Sequence, residues 1–322
     1  MKRLDEYFKS ARKIVILGHV RPDGDCVGSC LALYHYIRTC CPDVDPEIYL
    51  GETAEDLMRI LPGAERIRHE LPEETDCDLC MALDVSEESR LGEFLPLFRS
   101  AAHTVCIDHH VTNPGFAEEN MVDPKAAATA ELLYTLMEES RISRETAVCL
   151  YTGMVHDTGV FKHSNTTRRT MEAAGALLEK GVRSNEIIDG TFFHKSFVQN
   201  KLLGKALMNA ELEFGGELIC SVLRLSEIEE QNGTSLDLEG IVDQLRVTDG
   251  TRCAAFVHET EPGIYRVSLR GGRDLDVSRI AAAFGGGGHV KAAGCTIEGD
   301  SESVKGKLCS AVFEELCRNS QE

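Results

Sequence analysis

The segment HTVCIDHHVTNPG (residues 103–115) sets a carboxylate and two imidazoles directly after a short apolar run. The run VCI is typical of a buried strand, and NPG is typical of the turn that follows one. Asp108, His109 and His110 therefore stand at the carboxyl end of a predicted strand. In an open parallel α/β sheet, the carboxyl ends of neighbouring strands meet along one crevice. The segment thus predicts a polar site at one edge of a sheet.

Three further clusters of acidic and imidazole side chains follow apolar segments in the same way. They contain His19, Asp23 and Asp25 after KIVIL, Asp84 after CMAL, and His156 and Asp157 at the end of a predicted helix. Taken singly, each aspartate is more often a helix cap or a turn former, and His156 is more often structural. Taken together, so many like charges would be costly to bury without a cation. Their convergence favours a centre for Mn²⁺ or a similar divalent ion.

The order of the predicted elements indicates the α/β class. In the first half, strands are predicted at 13–19, 47–51, 77–86 and 103–109, and helices at 26–39, 129–140, 143–157 and 167–181. This alternation implies a doubly wound, mainly parallel sheet with helices on both faces. The segment SRLGEFLPLFRS between two of the strands is predicted to be a helix kinked at Pro96.

A second, smaller α/β domain is predicted to begin near residue 200. It contains a hairpin at 211–225 that turns at Gly215 and Gly216, a strand pair joined around 261–263, and a final helix at 301–318. We predict domains at 1–185 and 201–322, joined by a linker at 186–200.

Composition and charge narrow the class of protein. The chain of 322 residues is 43% hydrophobic, which is enough for a substantial core, and its net charge of −19 argues against a broad basic surface for long nucleic acid. No apolar run approaches the roughly 20 residues that span a bilayer, and the N-terminal apolar run is too short for a signal peptide. We therefore expect a cytoplasmic protein.

The thirteen cysteines are interpreted as buried thiols of a reducing compartment. Cys77 and Cys80 have the spacing of a zinc pair, but no second pair with matching spacing follows them. The cysteine pattern therefore does not predict a zinc site.

The polar clusters together resemble the DHH phosphoesterase family. The resemblance is carried by HxxxDGD at 19–25, by Asp84, by the DHH triplet and by Asp157, and the block GGGGHVKAAG at 285–294 resembles the C-terminal domain of the first DHH subfamily. It implies a catalytic first domain, a substrate-binding second domain and an active site in the cleft between them. It covers nearly the whole chain in the expected order.

The resemblance also implies roles for individual residues. Two divalent ions, with Mn²⁺ as the expected metal, would be held in one position by His19, Asp23 and Asp84 and in the other by Asp25, Asp84, His109 and Asp157. Asp84 would bridge the two ions, His110 would face the substrate phosphate, and Asp108 would orient an imidazole. The implied substrate contacts are Arg270, Gly286, Gly287, Gly288 and His289. Taken alone, the glycine run is more often a plain loop.

At this length the chain is most similar to the oligoribonuclease and 3′-phosphoadenosine-5′-phosphate (pAp) phosphatase branch of the family. We expect hydrolysis of short RNA oligonucleotides, linear dinucleotides or pAp by a water activated by two metal ions. Long duplex nucleic acid and membranes are not expected partners, and the resemblance is compatible with a homodimer. Two alternatives stay open: a cyclic dinucleotide phosphodiesterase, and a catalytically inactive nucleotide-binding regulator.

Overall fold

The chain divides into two compact units, Met1–His194 and Lys195–Glu322. The structure is a computed structural model, and it describes residues 4–8, 11–272 and 274–318. The boundary between the units falls inside the segment 186–200, which the sequence predicts to be the linker.

The first unit is built on a six-stranded parallel sheet with the order β3-β2-β1-β4-β5-β6. Its strands are β1 Ile14–Leu17, β2 Glu47–Tyr49, β3 Ile67–Arg68, β4 Leu79–Leu83, β5 Thr104–Asp108 and β6 Glu119–Val122. The order reverses between β1 and β4, which is the position where doubly wound sheets form their binding crevice. The predicted α/β class and parallel sheet are confirmed.

Eight α-helices accompany this sheet in the described residues. They are α1 Leu4–Phe8, α2 Gly24–Cys40, α3 Glu55–Ile60, α4 Leu95–Ser100, α5 Thr129–Leu136, α6 Arg144–Asp157, α7 Arg168–Glu179 and α8 Ser184–Ile187. Along β1, Ile14 and Ile16 join the core on one face, whereas Val15 and Leu17 join the core on the other. Burial on both faces explains why the strand is a continuous apolar run.

Helices α2 and α6 approach each other closely because glycines face the contact. A Cβ atom at Gly28 would lie only 2.6 Å from the carbonyl oxygen of Cys149 and 3.0 Å from the backbone nitrogen of Gly153. Neither distance leaves room for a side chain. This contact matters for the site, because α2 carries Asp25 and α6 ends at Asp157.

The second unit has its own six-stranded sheet with the order β11-β12-β10-β9-β8-β7. All neighbours are antiparallel except β8 and β9, which are parallel. The strands are β7 Glu211–Glu213, β8 Leu218–Leu223, β9 Cys253–Glu261, β10 Ile264–Gly271, β11 Gly287–His289 and β12 Ala292–Glu298. The helices are α9 Phe197–Met208, α10 Leu225–Glu229, α11 Ile241–Arg246, α12 Val277–Ala282 and α13 Ser301–Arg318. The predicted hairpin, strand pair and final helix are all present.

Two local predictions are wrong, each for an identifiable backbone reason. The break in SRLGEFLPLFRS falls at Gly92, with φ of 57°, whereas Pro96 sits in the first turn of α4, where proline is tolerated. The helix predicted at 129–140 ends at Leu136, because the backbone becomes extended at the following residue. Within the glycine run, for which a plain loop is the more common structure, Gly287–His289 forms β11 and pairs with β12.

All thirteen cysteines lie in the described residues, and all are free thiols. Cysteine is among the residue types most often buried in proteins, and here Cys317 alone is exposed. Among the described residues, no helix combines the length and the apolar composition that crossing a bilayer requires.

Candidate metal centre

The carboxyl ends of β1, β4 and β5 bring the predicted ligands together with the start of α2 and the end of α6. These residues are His19, Asp23, Asp25, Asp84, His109 and Asp157. Ligand atoms lie within 4.8 Å of one another in three overlapping groups, which are His19–Cys26–Asp84, Asp84–His109–His110 and Asp25–His109–Asp157. The cluster lies beside the reversal of strand order, where the fold places a crevice.

His19 stands at the β1 side of the cluster. Its Nε2 atom lies 3.5 Å from Asp84 Oδ2 and 3.8 Å from Asp23 Oδ1. Its Nδ1 atom lies 2.8 Å from the carbonyl oxygen of Val20, to which an Nδ1–H donates. Donation from Nδ1 leaves the Nε2 lone pair directed at the carboxylates, which is the arrangement of a metal-ligating imidazole.

Asp23 is fixed by the start of α2. It is the N-cap of the helix, and its Oδ1 accepts hydrogen bonds from the backbone nitrogens of Asp25 and Cys26, each at 3.1 Å. Burial alone would raise the pKa of Asp23, but His19 and the two backbone donors lower it to about 2. The sequence DGD thus combines a helix cap with two carboxylates directed at one site.

Asp25 and Asp157 lie on the side of the cluster nearest α5 and α6. Asp25 is fully buried, and its oxygens accept hydrogen bonds from the backbone nitrogens of Thr129 at 2.7 Å and Ala130 at 3.0 Å. Burial, and then the charges of Asp84 and Asp157, raise the pKa of Asp25 well above its ordinary value. Burial also raises the pKa of Asp157. This excess of negative charge is what a divalent cation would neutralise.

His109 connects these carboxylates. Its Nε2 atom lies 3.1 Å from Asp157 Oδ2 and 3.6 Å from Asp84 Oδ1. Burial opposes protonation of His109, but the hydrogen bond to Asp157 and the charges of Asp25 and Asp84 raise its pKa to about 10. The cluster therefore attracts positive charge, and the donor set of carboxylates and imidazoles suits Mn²⁺ and similar ions.

Asp84 has the central position in the cluster. Its Oδ2 faces His19 at 3.5 Å, whereas its Oδ1 faces His109 at 3.6 Å and accepts a hydrogen bond from Thr129 Oγ1 at 2.9 Å. Its backbone has φ of 59°, in the left-handed region that aspartate and asparagine tolerate better than most residues. The two oxygens thus face opposite sides of the cluster, as a bridging ligand would.

Asp108 is fully buried and holds the imidazole of His110. Its Oδ1 lies 2.7 Å from His110 Nδ1, and its Oδ2 accepts a hydrogen bond from Asn113 Nδ2 at 2.7 Å. Because Asp108 accepts this hydrogen bond from the ring, the pKa of His110 is raised. Burial would raise the pKa of Asp108, but His110 and Asn113 hold it below its ordinary value. His110 is about 40% exposed, so its other ring nitrogen is accessible to a substrate.

Comparison with known proteins now assigns the chain. Residues 13–154 match the DHH family, N-terminal domain, and residues 215–317 match the DHHA1 domain. The chain belongs to the DHH family. The family predicted from the polar clusters is confirmed.

Three relatives of this DHH protein cover nearly its whole length. The bifunctional oligoribonuclease and PAP phosphatase NrnA of Thermus thermophilus is 32% identical over 99% of this chain and 95% of its own. The protein of the same name from Bacillus subtilis is 27% identical over 96% of both chains. The crystal structure of an exopolyphosphatase-related protein from Bacteroides fragilis matches with a TM-score of 0.86 and 27% identity, covering 98% of this chain and 96% of that one.

Sequence reasoning missed two contributors to the DHH centre. Thr129 supplies a hydroxyl to Asp84 and a backbone N–H to Asp25, and its position at the start of α5 is the signal that could have found it. Cys26 was grouped with the inert thiols, although it directly follows the DGD motif. His156 stays outside the cluster, with its Nε2 2.9 Å from Thr191 Oγ1, in agreement with a structural role.

The DHHA1 domain carries the predicted substrate contacts. Arg270 on β10 is aligned with Ala292 on β12, and Ala292 is aligned with His289 on β11. Arg270 and His289 therefore share one face of the sheet, two strands apart, which corresponds to roughly 10 Å. The guanidinium of Arg270 makes a two-point ion pair with Asp243, at 2.9 and 3.2 Å.

The glycines of this domain have different roles. A Cβ atom at Gly286 would overlap the carbonyl oxygen of Gly294, and one at Gly288 would lie 2.6 Å from the Cα atom of Ala293. Both glycines are therefore required for β11 to approach β12. A Cβ atom at the exposed Gly287 would meet nothing within 4 Å, so no close packing explains this glycine.

Proposed function

We propose that this DHH protein is a metal-dependent phosphoesterase that hydrolyses short oligoribonucleotides, linear dinucleotides and pAp. The observation that carries the proposal is the convergence of six carboxylate and imidazole side chains on one edge of the sheet. The 32% identity over almost the full length to a bifunctional oligoribonuclease and PAP phosphatase supports the substrate class.

The proposed ligands divide around Asp84. His19, Asp23 and Asp84 would hold one divalent ion, and Asp25, Asp84, His109 and Asp157 would hold the other, with Mn²⁺ as the expected metal. When bound, such ions supply positive charge to the phosphoryl oxygens and lower the pKa of a nearby water. The donors of Asp25, His109 and Asp157 lie within 4.8 Å of one another, and His19 Nε2 lies 3.5 Å from Asp84 and 3.8 Å from Asp23, which fits this requirement.

The remaining proposed roles belong to side chains that position and stabilise the substrate. His110, held through Nδ1 by Asp108, presents its other nitrogen to the phosphate and stabilises the negative charge that develops on it. Arg270 offers a planar guanidinium that binds phosphate in two-point fashion, and His289 adds a second donor on the same face. The backbone of Gly286, Gly287 and Gly288 is proposed to approach the phosphate, with Gly287 as the most accessible.

The test is a panel of substrates and metals. The purified protein is assayed on pAp, on the linear dinucleotide pApA, on RNA of two to five nucleotides, on cyclic di-AMP and on a long RNA duplex, each with Mn²⁺, Co²⁺ and Mg²⁺. We expect turnover of pAp and the short linear RNAs, little activity on the duplex, and none after chelation. Preferential cleavage of cyclic di-AMP would favour the alternative phosphodiesterase, and binding of pAp without turnover under every metal would favour the inactive regulator.

Replacement of Asp84 by Asn is the first mutational prediction. The amide keeps the size of the side chain and tolerates the left-handed backbone, but it removes the charge shared by both proposed ion positions. We expect the rate on pAp to fall at least about a thousandfold, while the midpoint of thermal unfolding of the metal-free protein changes little. The matched control is Asp45→Asn, at an exposed ion pair on the surface, which should leave the rate unchanged. Full activity of the Asp84 variant would contradict the bridging role.

The compartment and assembly are also proposals. The free, mostly buried thiols support a location in the cytoplasm, because that compartment keeps cysteines reduced. A homodimer is proposed from the family resemblance, and light scattering of the purified protein tests it.

A further inference from the structure

Cys26 places a thiol inside the proposed metal centre, where the proposed function has no role for it. The Sγ atom of Cys26, a ring nitrogen of His19 and a carboxylate oxygen of Asp84 all lie within 4.8 Å of one another, and all three residues are buried. The group is therefore compact enough for one cation to contact all three side chains.

The backbone fixes this thiol in place. Cys26 is the third residue of α2, and its backbone nitrogen donates to Asp23, so the capped first turn of the helix sets its direction. Gly18 lies opposite, immediately after β1, and a Cβ atom there would overlap the Sγ atom of Cys26. The absence of a side chain at Gly18 leaves the space that the sulfur occupies.

The donor chemistry of this group differs from that of the rest of the cluster. Asp25, His109 and Asp157 offer only oxygen and nitrogen, which suit hard ions such as Mn²⁺ and Mg²⁺. His19, Asp84 and Cys26 add sulfur, and one cysteine, one histidine and carboxylate oxygen form a set that Zn²⁺ and Co²⁺ accept readily. The two halves of the centre therefore have different metal preferences.

We propose that Cys26 is a ligand of the ion held by His19, Asp23 and Asp84, and that this position selects a thiophilic divalent cation such as Zn²⁺ or Co²⁺ over Mn²⁺. The inference rests on the metal centre of the proposed function. On binding, the S–H bond of Cys26 is replaced by a sulfur–metal bond, and the thiol proton leaves to solvent, without oxidation or reduction. The protein thus takes two different metals, one at each side of Asp84.

Cobalt absorption gives a readout that does not depend on activity. Co²⁺ is titrated into metal-free protein while the near-ultraviolet band of thiolate-to-cobalt charge transfer is recorded. The wild-type protein should develop this band, and Cys26→Ser should lose it while still binding Co²⁺ by calorimetry. Cys30→Ser is the matched control, because Cys30 is an equally buried thiol one turn further along α2, and it should keep the band. The Zn²⁺ affinity should fall at least about tenfold in Cys26→Ser, with a smaller change for Mn²⁺.

Each outcome decides the proposal. A band that persists in Cys26→Ser comes from other thiols and overturns the proposal. Binding of Co²⁺ to the wild-type protein without the band also overturns the proposal, but it leaves the metal centre of the proposed function intact. Failure to bind any divalent ion would overturn both the inference and the proposed function. If Cys26→Ser does not fold, X-ray absorption of the wild-type protein loaded with one equivalent of Zn²⁺ decides instead. A sulfur neighbour at about 2.3 Å is expected, and its absence overturns the proposal.

Discussion

At the scale of single residues, the two adjacent imidazoles of the DHH triplet contact different carboxylates. His109 turns its Nε2 toward Asp157 and Asp84, whereas His110 is held by Asp108 through Nδ1. The two rings meet edge to face with centroids 4.7 Å apart. A strand end that carries one aspartate and two histidines therefore supplies a candidate ligand, a substrate-facing group and the carboxylate that orients it.

Asp108→Asn tests this orientation. The amide can donate a hydrogen bond to His110 Nδ1, which reverses the tautomer that the carboxylate selects. We expect kcat on pAp to fall about 10- to 100-fold, with little change in KM and with Mn²⁺ affinity retained. The pH at which kcat falls on the alkaline side should also move down, because the hydrogen bond that Asp108 accepts from His110 raises the pKa of that imidazole. An unchanged pH profile would show that Asp108 only fills space.

Arg270→Lys tests the proposed phosphate contact of the DHHA1 domain. Lysine keeps the charge but cannot make the two-point bond that a guanidinium makes with phosphate or with Asp243. We expect KM for pAp to rise about tenfold, which corresponds to the loss of one charge-assisted hydrogen bond, while kcat changes less. Arg266→Lys is the control, since Arg266 is exposed on the same strand and points to the same face. Equal effects of the two changes would show that the loss is not specific to Arg270 and would contradict its proposed phosphate contact.

The residues of the first half were predictable because each follows an element whose end is visible in the sequence. Asp84 and His109 directly follow buried strands and His19 follows β1 after one glycine, so the strand ends indicated that these residues share one edge of the sheet. Cys26 and Thr129 were not predictable in the same way, because a thiol and a hydroxyl in helical segments are ordinary core residues until the fold shows what they face.

At the scale of elements, the contact between α2 and α6 controls how close the two sets of carboxylates come. Gly28 lies against the backbone of α6, and a Cβ atom at Gly153 would lie 2.6 Å from the Cβ atom of Ala130. Three helices, α2, α5 and α6, therefore meet where side chains are smallest. Asp25 and Asp157 come close together because the backbones of α2 and α6, which carry them, approach closely.

Gly28→Ala is predicted to separate these helices. The added methyl group meets backbone atoms of α6, which cannot move as a side chain can, so we expect destabilisation of about 1–3 kcal/mol by denaturant unfolding. The affinity for Mn²⁺ should fall as well, because the proposed ligands at the ends of the two helices move apart. Gly175→Ala in α7 is the matched control. A Cβ atom there meets nothing within 4 Å, so this change should be neutral or stabilise by up to about 1 kcal/mol.

The errors of element prediction have a common physical origin. Proline was given more weight than glycine in SRLGEFLPLFRS, yet Gly92 adopts the left-handed backbone that breaks the helix and Pro96 fits the first turn. In GGGGHVKAAG, the local pattern is typical of a plain loop, whereas Gly286 and Gly288 allow two strands to approach closely. In both cases the tertiary contact, which no local pattern contains, decides what the glycine does.

At the scale of the whole molecule, stability should depend on pH through a histidine far from the DHH motif in sequence. His258 on β9 is about 7% exposed and stacks on Phe256, with ring centroids 5.5 Å apart. Within the described residues neither of its ring nitrogens has a hydrogen-bond partner. Burial, and then the nearby charge of Arg266, lower the pKa of His258 to about 4. The folded protein therefore keeps this imidazole neutral in mildly acidic solution.

The sign of the effect follows from proton binding. Between pH 6.5, the ordinary value of histidine, and pH about 4, the unfolded chain binds a proton at His258 that the folded chain does not. The free energy of unfolding should therefore fall as pH falls through this window, by on the order of 3 kcal/mol from this residue. His258→Phe keeps the ring and removes the titration, so the variant should gain stability relative to wild type as the pH is lowered from 7 to 4. A constant difference across that range would contradict the assignment.

The sequence predicted more of the architecture than of the detail. The sheet class, the second sheet and the family were predictable, because apolar runs and the spacing of polar clusters can be recognised in one sequence without an alignment. The strands β3 and β6 were missed, because Ile67–Arg68 has only two residues and Glu119–Val122 contains one buried side chain, so neither shows an apolar run.

The distribution of thiols allows the native protein to be labelled at one position without any mutation. Cys317, on the last helix, is the exposed cysteine of the thirteen, and the others are buried or partly covered. Brief treatment of the native protein with a maleimide dye should therefore label one position first, near the end of the chain and on the unit that does not contain the acidic cluster. A fluorescent or spin-labelled reporter attached there could follow the protein through metal loading and substrate binding with its natural sequence unchanged.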